Sequence, residues 1–121
     1  MLKTARNHEF RRKLIKLGIK IIALTKALPK TQENTIISNQ IIRSSTSIGS
    51  NYTESMFALT KPDFIHCLNI CKKETAETIH WLETLAILNS PLEQEIALIS
   101  EETESYLKIF ISSVKTAQRN R

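Results

Sequence analysis

The chain has 121 residues, 41% of them apolar, with 17 Lys/Arg against 12 Asp/Glu. That size and apolar share suit one domain with its own core, and exclude a disordered chain or one that needs disulfides or a metal to fold. Two glycines and three prolines are too few for the many turns of an all-β protein, and no apolar run approaches the roughly 20 residues of a membrane span.

The charge is unevenly spread. Residues 1–30 carry nine Lys/Arg and one Glu, a net of +8, while the remaining 91 residues carry eight basic and eleven acidic groups, a net of −3. A basic end on a slightly acidic body points to an electrostatic partner. The opening MLKTARNHEFRRK is basic but lacks the apolar stretch and small-residue cleavage site of a signal peptide, so a cytoplasmic location is expected.

In chain order, Phe10, Leu14, Leu17, Ile21, Leu24 and Leu28 repeat at the heptad spacing and predict a helix over 7–28, stopped by Pro29. Thr31 with acidic Glu33 then offers a cap for a second helix, 33–57, through Ile37, Ile41, Ile48 and Tyr52. Thr60-Lys-Pro-Asp63 opens a third, 61–88, on Phe64, Leu68, Cys71, Thr75, Thr78, Leu82 and Leu85. Ser90-Pro91-Leu-Glu93 opens a fourth, 91–117, on Leu92, Ile96, Ile99, Thr103, Tyr106 and Phe110, with the final TAQRNR expected to fray. Short connections between long helices imply antiparallel neighbours, so the expected fold is all-α, an antiparallel up-and-down four-helix bundle in one domain.

Inside the second helix lies IIRSSTSIGSNYTES, residues 41–55, with a glycine and many hydroxyls. Such residues cost helix propensity, about 0.5–1 kcal/mol for glycine against alanine. Close helix contact offsets that, and the hydroxyls can bond back to carbonyls one turn earlier. A nucleophilic serine would need a base in reach and an oriented third group. The segment lacks the G-x-S-x-G elbow, and His66 and His80 stand about 20 Å apart on one helix. No enzyme active site is therefore expected. Cys67 and Cys71 share a helical face without a second ligand pair, so they read as small buried hydrophobes rather than zinc ligands. No metal, cofactor or small-molecule substrate is expected, and no membrane partner.

The joint pattern Gln40-x-x-Arg43-Ser44-x-Thr46-Ser47-Ile48-Gly49-x-Asn51-x-x-Glu54, then Asp63-Phe64-Ile65 and Lys73-Glu74-x-x-Glu77-x-x-x-Trp81-Leu82, resembles the signature of the 23S rRNA intervening sequence proteins. The match covers roughly residues 37–85, and the first helix with its Pro29 stop fits as well. Ser45 and Ser55 depart from the small residues usual there, glycine or alanine, but remain small. The resemblance implies a small, basic, non-enzymatic bundle that assembles as a homopentamer. The family's name records a genetic location rather than an activity. A similar fold in the accessory proteins of diversity-generating retroelements adds nucleic acid as an expected partner by analogy.

The first helix also bears on assembly without that resemblance. Ile15, Ile19 and Ile22 form a second apolar row about 150° from the core seam, with Gly18 permitting close approach, and are the expected oligomer interface. Arg6, Arg12, Lys13, Lys16 and Lys20 lie between the apolar faces and are the expected contacts to phosphates of RNA or DNA. Scarce aromatic residues imply backbone-directed recognition with little sequence preference. Arg43 is expected to meet Glu74 or Glu77 across the antiparallel interface, in a polar cluster with Gln40, Ser47, Asn51 and Glu54. The expected function is thus a non-enzymatic oligomeric module that binds structured RNA or other nucleic acid through the basic first helix. The alternative is a protein-interaction scaffold with no nucleic-acid binding.

Overall fold

The computed structural model describes residues 4–120. Four helices run α1 (Ala5–Ala27), α2 (Gln32–Ser55), α3 (Lys61–Leu88) and α4 (Glu93–Arg119), with a short 3₁₀ turn at Ser90–Leu92 ahead of the last. Consecutive helices pack side by side and antiparallel, and α1 closes the bundle against α4 through a thinner seam.

Local chemistry sets the ends. The hydroxyls of Thr4, Thr31 and Thr60 accept from the backbone N–H groups of Asn7, Asn34 and Asp63, each satisfying one of the orphan donors of a first helical turn. Leu28 is extended, as the residue before a proline tends to be, and α1 ends there. Several ends differ from the sequence reading. Thr4 starts α1 earlier than residue 7, and α2 turns out at Ser55 rather than continuing to Phe57. Ser90 does not cap α4: Ser90–Leu92 winds as a 3₁₀ turn without a side-chain cap, and α4 begins at Glu93. Helical geometry also continues to Arg119, through most of the tail expected to fray; Arg121 lies outside the described residues.

The core is the stack of heptad rows. Leu14, Leu17 and Ile21 meet Ile41, Ile48, Leu82, Leu85, Ile96 and Phe110, all at most 1% exposed. The two seams of α1 are built differently. Toward α2 the contact is close because small residues line it: Gly18 lies over Ser45 and Thr46, and Gly49 lies against Leu14 and Ile15. An added methyl would sit 3.5 Å from Thr46 at Gly18 and 3.6 Å from Leu14 at Gly49, ordinary contact distances, so the seam accepts alanine at either position. Toward α4 the contact is made by rings, Phe10 lying edge-on to Tyr106 at 5.6 Å and tilted against Phe110 at 5.8 Å.

The hydroxyl-rich stretch of α2 is helical throughout. Thr46, Ser47 and Thr53 donate to the carbonyls of Ile42, Arg43 and Gly49 at 2.7, 2.8 and 2.8 Å, the back-bonding that lets such residues sit inside a helix. Ser44 also crosses to α3, its hydroxyl 2.9 Å from that of buried Thr78. At one end of the bundle the amides of Asn34 and Asn89 pair reciprocally at 2.8 and 2.9 Å, tying the α1–α2 corner to the α3–α4 corner.

Candidate nucleic-acid interface

The face of α1 turned away from the core carries two neighbouring surfaces. Arg6, Arg12, Lys13 and Lys16 are all exposed on it. Among the described residues the ion pairs are Lys20 with Glu102 and Arg43 with Glu74 and Glu77, so those four cations keep their charges for solvent or a partner. Lys20, expected among them, is exposed as well but ion-paired. Its ammonium donates to Glu102 on α4 at 2.7 Å and fastens the α1–α4 seam. Burial opposes ionisation of Glu102, but hydrogen bonds from Lys20 and Tyr106 outweigh it and hold the carboxyl below the usual carboxylate range. The Tyr106 hydroxyl, desolvated and bound to that carboxylate, is raised correspondingly.

Beside the cations, Ile15 and Ile19 are 41% and 59% exposed, while Ile22 is half-buried. They line a groove of about 430 Å³ between α1 and α2, floored by Gly18, Thr46, Gly49 and Ser50. Gly18 is buried against α2 of its own chain, so its close approach is made within the bundle rather than to another molecule. Arg11, absent from the sequence-based set, crosses the end of this groove and donates from Nε to the Thr53 hydroxyl at 2.8 Å. A basic side chain in an arginine-rich run gives no signal of which arginine turns inward until the partner helix is placed.

On the opposite side of α2, Arg43 bridges to α3. Its guanidinium donates to Glu77 and to Glu74, the latter at 3.4 Å, and the Trp81 indole N–H donates to the same Glu77 carboxylate at 3.1 Å. The hydrogen bond from Arg43, then that from Trp81, lowers the Glu77 carboxyl, and the Arg43 guanidinium is raised mainly by its bond to Glu77. The rest of the expected cluster does not join in. Ser47 donates to the Arg43 carbonyl and Asn51 to the Ser47 carbonyl, both local to α2, while Gln40 and Glu54 are exposed. Eleven residues separate Arg43 from Glu54, three turns along one helix, which keeps them apart. Both thiols are raised, chiefly by burial, Cys71 to about 12, which makes them poor nucleophiles. No cluster of three metal-ligating side chains occurs among the described residues.

Fold and surface thus define a small all-α protein, an up-and-down four-helix bundle with one cationic helix. Residues 6–112 match the family described as 23S rRNA-intervening sequence protein. The chain belongs to that family. It is also similar, at 34% identity and a TM-score of 0.81, to a protein of unknown function from the S23 ribosomal protein family of Bacteroides thetaiotaomicron, with 90% of this chain and 97% of that one covered. No curated protein matches the chain. Neither family nor neighbour carries an enzyme activity in its description. No helix among the described residues is long and apolar enough to cross a membrane.

Proposed function

We propose that this protein is a non-enzymatic, self-associating cytoplasmic module that binds structured RNA or other nucleic acid through the basic face of α1. The observation that carries the reading is the row Arg6, Arg12, Lys13 and Lys16, exposed on one helix and without an ion pair among the described residues. Phosphates are the natural counterpart of such a row, because binding releases condensed counterions. Side chains that touch phosphates position a nucleic acid without reading its bases. The apolar groove beside the row supports self-association, since three isoleucines on the outside of a bundle helix gain by being covered, and copies arranged by symmetry would multiply the basic surface. The homopentamer implied by the family resemblance is the oligomer proposed.

The test is a binding titration of a structured RNA and a matched duplex DNA at low and near-physiological salt. Saturable binding is expected for both, with affinity falling as salt rises. The double variant Lys13→Gln/Lys16→Gln should flatten the salt dependence, by roughly 0.9 in log–log slope for each phosphate that is no longer neutralised. No binding at low salt would remove nucleic acid as the partner. The same groove, with Ile19 59% exposed, favours a second reading in that case, a scaffold whose α1–α2 face docks another protein.

A further inference from the structure

A second cleft, of about 530 Å³ and more enclosed than the α1–α2 groove, opens between the N-terminal half of α1 and the C-terminal half of α4. Arg6, Phe10 and Lys13 succeed one another along its α1 wall, a spacing that places them on one helical face. Ile109, 43% exposed, forms the α4 wall. The rings of Phe10 and Tyr52, edge to face at 5.0 Å, make its floor. The Tyr52 hydroxyl donates to the Asn7 side-chain oxygen at 3.2 Å, which leaves the Asn7 amide nitrogen as a donor in the cleft wall. Ser113 also lines the cleft, and a serine hydroxyl can donate or accept. Two cations face one carboxylate, Glu9, so the rim favours an anion.

An aromatic floor, amide and hydroxyl groups on the walls and two cations at the mouth match the parts of a nucleotide. We infer that this cleft takes one unstacked nucleotide, its base against Phe10 and Ile109 and its phosphate between Arg6 and Lys13. The inference rests on the proposed nucleic-acid function and refines it, because a base can enter only where it is not paired. Duplexes would then meet the cationic row alone. The shared chemistry, a nucleotide, could come from a single-stranded segment or from a free mononucleotide.

Two measurements on the full chain decide this. The first compares a labelled single-stranded oligonucleotide with a duplex of equal phosphate count, for the wild type and for Phe10→Leu, which keeps an apolar side chain in the packing but removes the ring face. Single strands should bind more tightly, and the variant should lose at least about fivefold of that preference while duplex affinity holds, in line with the worth of one base–aromatic stack. The second needs no variant. Adenosine or uridine 5′-monophosphate at millimolar concentration should shift the Ile109 methyl resonances and leave those of Ile19, in the other groove, in place. Methyl shifts without any strand preference would assign the cleft to free nucleotide. Equal affinity for single strand and duplex, with unmoved Ile109 methyls, would overturn the inference and leave the basic-row reading intact. Failure of both nucleic acids to bind would overturn that reading, and the inference with it unless the mononucleotide still moves Ile109.

Discussion

Single side chains decide more here than their number suggests, and the Asn34–Asn89 pair shows how. Both are buried, and the two amides exchange donors while Asn34 also donates to the Pro29 carbonyl and Asn89 to that of Leu85. Nothing local marks either residue, because the partners stand 55 positions apart and meet only once two helical corners have been folded together. The threonine caps, by contrast, are legible, since a cap needs only the next few residues. Every buried side-chain nitrogen and oxygen among the described residues has a partner, so deleting one amide orphans another. Asn89→Ala should therefore cost about 1–3 kcal/mol, seen as a lower midpoint in urea with an unchanged slope. Asn34 and Asn89 replaced together by leucine should cost less than the sum of the single changes, since no orphaned amide remains.

At the scale of elements, the heptad rows make all four helices and their pairing legible, because a 4-3 repeat constrains both period and face. What the rows do not show is how far apart neighbouring helices sit. That follows from which residues line each seam: glycine and serine bring α2 close to α1, while Phe10, Tyr106 and Phe110 hold α4 further off. The wide seam leaves room for the Lys20–Glu102 pair, set by two residues 82 positions apart. Because the folded Glu102 carboxyl lies below its ordinary value, its ionised form stabilises the fold above that ordinary value. The contribution is lost as pH falls from there through the folded value. Glu77, lowered by Arg43 and Trp81, acts in the same direction and window. Thermal unfolding followed from pH 7 to about 3 should show the loss, and Glu102→Gln should give a shallower acid decline with only a modest change at neutral pH, since exposed pairs are worth about 0–1 kcal/mol. A variant as acid-sensitive as the wild type would place the effect elsewhere.

For the molecule as a whole, the bundle explains why a helix of its size carries two apolar faces. The core seam of α1 is fully used within the chain, while Ile15 and Ile19 remain on the surface beside a groove that continues onto α2. Scattered surface isoleucines are ordinary in soluble proteins; three in line, flanking a groove floored by small residues, support the proposed contact surface. If that partner is a second copy, light scattering at micromolar concentration should report a mass of several chains. Ile15→Glu/Ile19→Glu would set two carboxylates into the contact and should return the mass to that of one chain. Ile22 is the poorer choice for this test because it is half-buried, and a charge there would strain the bundle as well. Since neither substituted position belongs to the intramolecular core, helical circular dichroism should stay near wild type. Loss of mass together with loss of helix would instead mean that the bundle itself depends on assembly. A wild-type monomer at that concentration would leave the isoleucine row to a different protein, and the basic surface would then act one copy at a time.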